Sequence, residues 1–135
     1  PVHAVEGDEP ATAALARAMR EAHGLKPLTI ETRDLFRRPL ALSELSRFSA
    51  VVLDPPRAGA EAQMKILAQS AVQRVISVSC HLGSFVRDAE ILIKGGYKLV
   101  SVTPVDQFRH SAHIELVGVF EKPQAAKKPA RRLLG

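Results

Sequence analysis

The chain reads as an α/β domain built on a parallel sheet with helices on both faces, and three observations predict this. Short apolar runs alternate with longer amphipathic segments, the order that produces strand, helix, strand units. One short run, Ala50–Leu53, is apolar without alternation, as a central strand covered on both faces must be. The 135 residues, 46% of them apolar, suffice for one core. No repeat or internal linker divides them.

Taken in order, Val2–Val5 is a brief strand running into Glu6-Gly7-Asp8. Pro10 opens a helix through about His23, with Ala14, Leu15, Ala18 and Met19 on one face and Gly24 as its stop. Leu28–Glu31 is a second strand. The loop Thr32-Arg33-Asp34-Leu35-Phe36 and a short helix near Leu40–Leu45 follow. The strand Ala50–Leu53 ends at Asp54-Pro55-Pro56-Arg57, where two prolines forbid its continuation. A helix from about Ala60 to Gln69 leads to a strand at Arg74–Ser79, then a Gly/Ser turn and a helix through Lys94, stopped by Gly95-Gly96. Tyr97–Pro104 alternates as a strand, Asp106–Ser111 is a loop, and His113–Phe120 is a last strand that closes a hairpin-like pair.

Composition excludes several classes. A single cysteine rules out an internal disulfide and a thiolate zinc cage. No stretch approaches the roughly 20 apolar residues of a membrane span. Pro1–Pro10 is polar and acidic rather than basic and then apolar, so no secretory signal is read there, and the expectation is a soluble cytoplasmic protein. The net charge of +5 is local: residues 122–135 hold five basic residues and no acid, while the other 14 basic residues face 14 acidic ones. Residues 1–121 therefore read as a neutral domain, and 122–135 as a basic, disordered tail suited to salt-sensitive phosphate contacts or simply to solubility.

Chemistry concentrates at strand ends. Cys80 lies where the run Val75, Ile76, Val78 meets the following helix, and in open α/β sheets ligands bind beyond the carboxyl ends of the strands. A thiol at a helix mouth feels the positive end of the dipole, which favours its reactive thiolate. A lone cysteine is also a common small core residue. Glu6 ends the first strand, where an acid can accept ribose hydroxyls or merely begin a helix. Asp54 precedes a rigid Pro-Pro that aims its carboxylate, or that only builds a turn. Glu115 lies in the apolar run Ile114–Phe120, where a carboxylate needs a partner, a role, or an edge strand with a wet face.

Together these positions resemble a family. The segments VVLDPPRAG (51–59), ISVSCHLGSFVRDAEILIKGGYKL (76–99) and VTPVDQFRHSAHIELVGVF (102–120) are similar to those of the uracil-C5 RNA methyltransferases, which make 5-methyluridine in ribosomal and transfer RNA from S-adenosylmethionine. The pattern is DPPR, an SC with a following RD, a DxF loop, and H-x-E. The resemblance implies a class I methyltransferase (Rossmann-like) sheet. It also implies that Cys80 is the nucleophile and Glu115 the base, that Asp54 contacts both uracil and cofactor, and that Glu6 and Asp34 hold the cofactor's ribose and adenine. Arg57 falls to the substrate side, and Asp106, Phe108 and His113 to shaping the site.

Two departures qualify it. His81-Leu82 follows the cysteine where the family usually has Asn-Pro, and no G-x-G pattern occurs anywhere. The first sheet strand and its glycine-rich loop are thus expected to be lacking, leaving a carboxyl-terminal part of a larger enzyme that binds cofactor weakly and turns over little. The lacking strand belongs between those ending at Glu6 and Asp54. Of three ways to repair the two open edges, closing on each other, shedding the first strand or pairing with a second copy, the homodimer is the one expected. Two other readings stay open: a methyltransferase acting on an exocyclic amine, and a non-catalytic RNA-binding or interaction module that keeps the fold.

Overall fold

A computed structural model describes residues 1–106 and 114–123. The elements are β1 (Val2–Glu6), α1 (Glu9–Glu21), β2 (Leu28–Thr32), α2 (Leu42–Leu45), β3 (Ala50–Leu53), α3 (Glu61–Gln69), β4 (Arg74–Ser79), α4 (Leu82–Lys94), β5 (Lys98–Val105) and β6 (Glu115–Glu121). The boundaries of β3 and β4 coincide with the sequence reading. Helix α1 starts where Asp8 caps it, its Oδ2 accepting the Ala11 N–H at 3.0 Å, and Pro10 occupies a first-turn position that needs no N–H. It stops at Glu21, because Ala22 is already extended.

The strands form two sheets, β1-β2 and β3-β4-β6-β5. The pairs β1/β2 and β3/β4 are parallel, while β6 runs antiparallel between β4 and β5. The sheet is incomplete at the expected place: β1 and β3 each pair on one side only. Neither closing of the gap nor loss of β1 occurs. A groove lined by Val2, Val5, Leu45, Phe48 and Val52 runs between the two sheets, and His3 bridges it by stacking on Phe48 at 5.9 Å between ring centroids.

Helices α3 and α4 pack on the four-stranded sheet around a core in which Leu45, Met64, Leu67, Val72, Val75, Leu92 and Phe120 are fully buried. The register pairs Val51 with Val75 and Leu53 with Ser77 on the covered face, leaving Val52 and Ile76 on the other. Val52 there is 67% exposed, a large apolar exposure for a strand whose four residues are all apolar. Helix α1 packs instead on β1 and β2. Among the described residues no helix is long and apolar enough to cross a membrane.

Candidate active site

Cys80 is the single residue between the end of β4 and the cap of α4. His81 is that cap, in extended conformation, and its Nδ1 accepts the Ser84 N–H at 3.2 Å. On the other side Ser79 Oγ donates to the His81 carbonyl at 3.1 Å and accepts the His81 N–H at 3.3 Å. Bonds on both flanks thus hold the half-buried thiol at the helix mouth. The Gly/Ser turn read from the sequence is absent, because Gly83 and Ser84 already belong to the first turn of α4. Cap chemistry there overrides their weak helix propensity.

The cysteine opens into a cleft shared with Arg57, His81, Leu82, Pro104, Ile114 and Leu116. Glu115 is not among the residues lining this cleft, although Ile114 and Leu116 on either side of it are. The last ladder pair of β4 and β6 is Ser79 with Leu116, and Cys80 and Glu115 are the next residues along the two chains. The edge-strand alternative for this acid is overturned: β6 is interior, flanked by β4 and β5, and Glu115 is its first residue. Sequence periodicity does not encode strand order, and the hairpin-like pair left either strand free to be the edge.

Glu6, Asp34 and Asp54 meet in a second cleft of about 220 Å³, with Val5, Leu35 and Phe36. The turn 54–57 is the wall between the two clefts, with Asp54 on one side and Arg57 on the other. Glu6 uses Oε1 to accept the Asp8 N–H at 2.9 Å, which leaves its second oxygen without a partner among the described residues. Asp34 Oδ1 accepts the Phe36 and Arg37 N–H groups at 2.9 and 3.3 Å, building its own turn. Carboxylates at the ends of β1 and β3 with apolar side chains between them suit a nucleoside, whose hydroxyls and amine need acceptors and whose base needs an apolar slot. The volume is below the about 300 Å³ at which closed ligand pockets begin, and the cleft shares Val5, Val52 and Leu53 with the groove at the gap. The described residues therefore fit the nucleoside half of a cofactor and supply no cradle for the rest. Asp106 is exposed at the end of β5, and Phe108 and His113 lie outside the described residues.

Sequence reading passed over Arg33. Its guanidinium donates through Nε to the Arg38 carbonyl at 2.7 Å, through Nη2 to the Pro39 carbonyl at 2.8 Å, and to both oxygens of Glu44 at 2.7 and 3.1 Å. It thus gathers the loop that carries Asp34, Leu35 and Phe36. No sequence signal links residues 33 and 44; only folding brings them together. The Arg33 hydrogen bonds, then that of the Ala41 N–H, hold the Glu44 carboxyl at about 2, below its ordinary 4.5. A depressed carboxylate contributes stability that is complete above about 4.5 and is lost as pH falls toward 2. Urea midpoints measured from pH 6 to pH 2 are expected to fall more steeply for the wild type than for Glu44→Gln; parallel curves would reject the assignment.

Residues 20–123 match the tRNA (uracil-5-)-methyltransferase family. This chain belongs to that family. An RNA methyltransferase of Agrobacterium fabrum is 55% identical over 121 residues, 90% of this chain and 29% of that protein. A 23S rRNA (uracil(1939)-C(5))-methyltransferase of Dechloromonas aromatica is 40% identical over 84 residues, 62% of this chain and 19% of that protein. Among solved structures, the Pyrococcus abyssi tRNA (uracil-54, C5)-methyltransferase in complex with S-adenosyl-L-homocysteine superposes with a TM-score of 0.73 at 25% identity, covering 88% of this chain and 28% of that one. The fold is accordingly the class I methyltransferase fold with an incomplete sheet. The chain spans less than a third of the length of the relatives quoted.

Proposed function

We propose that this chain is part of an S-adenosylmethionine-dependent enzyme that methylates C5 of a uridine in ribosomal or transfer RNA through a covalent cysteine adduct. The observation that supports the reading is the β4/β6 register, whose last pair is Ser79 with Leu116, so that Cys80 and Glu115 are the next residues along the two chains, at a cleft that Cys80 shares with Arg57. C5 of uracil is a weak nucleophile. When the Cys80 thiolate bonds to C6, the ring electrons move to form an enolate whose C5 can accept a methyl group. The cofactor supplies that methyl in electrophilic form. The Glu115 carboxylate then takes the proton from C5, the electron pair re-forms the C5–C6 double bond, and the C6–S bond breaks to release the thiolate. Asp54 hydrogen-bonds the uracil edge at the wall between the clefts and Arg57 lines the substrate side. Glu6 accepts from the ribose and Asp34 from the adenine amine.

The test is RNA carrying 5-fluorouridine, whose C5 fluorine no base can abstract, so the adduct stays. A band that survives denaturing electrophoresis is expected when this chain replaces the matching segment of the Agrobacterium relative. Its absence, with that relative itself forming the band, would reject the reading. Arg57 and His81 are expected to contact RNA in the cytoplasm together with the basic residues of 122–135, of which 124–135 lie outside the described residues.

The open β1 and β3 edges and the exposed Val52 favour pairing of two copies of the chain. Light scattering on a size-exclusion column is expected to give twice the chain mass at high concentration. A monomer at every concentration would reject the homodimer.

A further inference from the structure

The Arg87-Asp88 pair was singled out in the sequence, but the mechanism assigns it no task. Its surroundings supply one. Ser84, Arg87 and Asp88 lie at i, i+3 and i+4 of α4, on one face of the helix. Each bonds the backbone of the loop that follows Asp54-Pro55-Pro56. Ser84 Oγ donates to the Arg57 carbonyl at 2.9 Å, and Arg87 Nη2 to the Ala58 carbonyl at 2.8 Å. Asp88 Oδ2 accepts the Ala60 N–H at 2.7 Å. Asp88 is 3% exposed, and its other oxygen is held by Arg87 Nε and Nη2 at 3.0 and 2.7 Å. A buried carboxylate is stable only when so satisfied.

The loop also has the shape that this clamp demands. Gly59 is in the left-handed region at φ 80°. A Cβ there would sit 2.5 Å from Arg87 Nη2 and 2.6 Å from Asp88 Oδ2, so only glycine lets backbone and carboxylate meet. Helix α4 starts two residues after Cys80. The same rigid rod therefore carries the thiol at its mouth and, within its first two turns, the loop that brings Arg57 to the thiol's cleft.

We infer that Asp88 is a positioning residue: with Ser84 and Arg87 it fixes the 57–60 loop to α4 and so sets Arg57 relative to Cys80. The inference rests on reading that cleft as the nucleobase site, but its test needs no RNA. Cys80, the only thiol, is alkylated in the full chain at pH 8 by anionic iodoacetate and by neutral iodoacetamide. The ratio of the two rates reports the positive charge beside the sulfur.

Asp88→Asn is expected to lower that ratio about threefold, the size of one exposed charge interaction, and to speed hydrogen exchange at the Ala60 amide. Arg57→Ala is expected to lower the ratio equally, and Asp88→Asn added to Arg57→Ala to leave it unchanged. A purely structural Asp88 would lower the melting temperature without this dependence on Arg57. An unaltered ratio in Asp88→Asn, or a further fall in the double variant, would overturn the proposal. Should Asp88→Asn fail to fold, Ser84→Ala, which removes the bond to the Arg57 carbonyl along with the hydroxyl's contacts to His81, is read in the same way, alone and on Arg57→Ala, and an unchanged ratio in the single variant or a further fall in the double overturns it. Failure of the covalent mechanism would show in the fluorouridine adduct instead and leave the alkylation ratios as they are.

Discussion

Cys80→Ala is expected to abolish both the fluorouridine adduct and 5-methyluridine formation, the latter by a factor on the order of 10⁴ or more, as removal of a covalent nucleophile does elsewhere. The physical reason is specific to the target atom. Without a substituent on C6, C5 carries too little electron density to attack a methyl group, and none of the other residues facing the cleft, Arg57, His81, Leu82, Pro104, Ile114 and Leu116, provides a comparable soft nucleophile. His81 is the nearest rival by position, but its Nδ1 is committed to the Ser84 N–H. The thiol is half-buried and outside the apolar core, so its truncation to a methyl group should leave the melting temperature nearly unchanged. Measurement in the graft described above separates the outcomes: a variant that still forms the adduct would remove Cys80 from the chemistry.

Glu115→Gln is expected to do the reverse to the intermediate while also stopping product. With ordinary uridine RNA the adduct forms and C5 is methylated, but the C5 proton stays, so the C6–S bond cannot break. Loss of a positioned general base costs about 10² to 10⁴ in rate. The sign of the adduct signal is what makes the prediction diagnostic, because a complex resistant to denaturation should accumulate with unmodified RNA only in the Gln variant. Gln has the shape of Glu, and residue 115 is the first of β6, so folding should be little disturbed. Wild-type turnover without trapped RNA would assign proton removal to another group.

Much of this was legible along the chain. Ala50–Leu53 and Arg74–Ser79 were readable to the residue because apolar β-branched runs there are bounded by breakers, Pro55-Pro56 after one and the cysteine junction after the other. The groups at strand ends, Glu6, Asp54 and Cys80, could be nominated because an α/β sheet exposes those ends together. What escaped was set by contacts between distant segments. The capped start of α4 hangs on an imidazole nitrogen that propensity does not register. Arg33 matters through Glu44 and the carbonyls of Arg38 and Pro39, and Asp88 through the Ala60 N–H twenty-eight residues before it. Glu115 could be singled out as an odd acid in an apolar run, but whether its strand lay inside or at the rim of the sheet was open.

The amino-acid sequence by itself determined the alternation of elements, the fold class, the family and the residues able to do chemistry, because periodicity, turn residues and motif spacing are local quantities. Only the tertiary structure decided that β6 lies between β4 and β5, that the turn 54–57 is a wall with Asp54 and Arg57 on opposite sides, and that one face of α4 ties that wall to the nucleophile. Strand order and cleft walls follow from which distant backbones share hydrogen bonds, and that information appears only when the chain has folded back on itself.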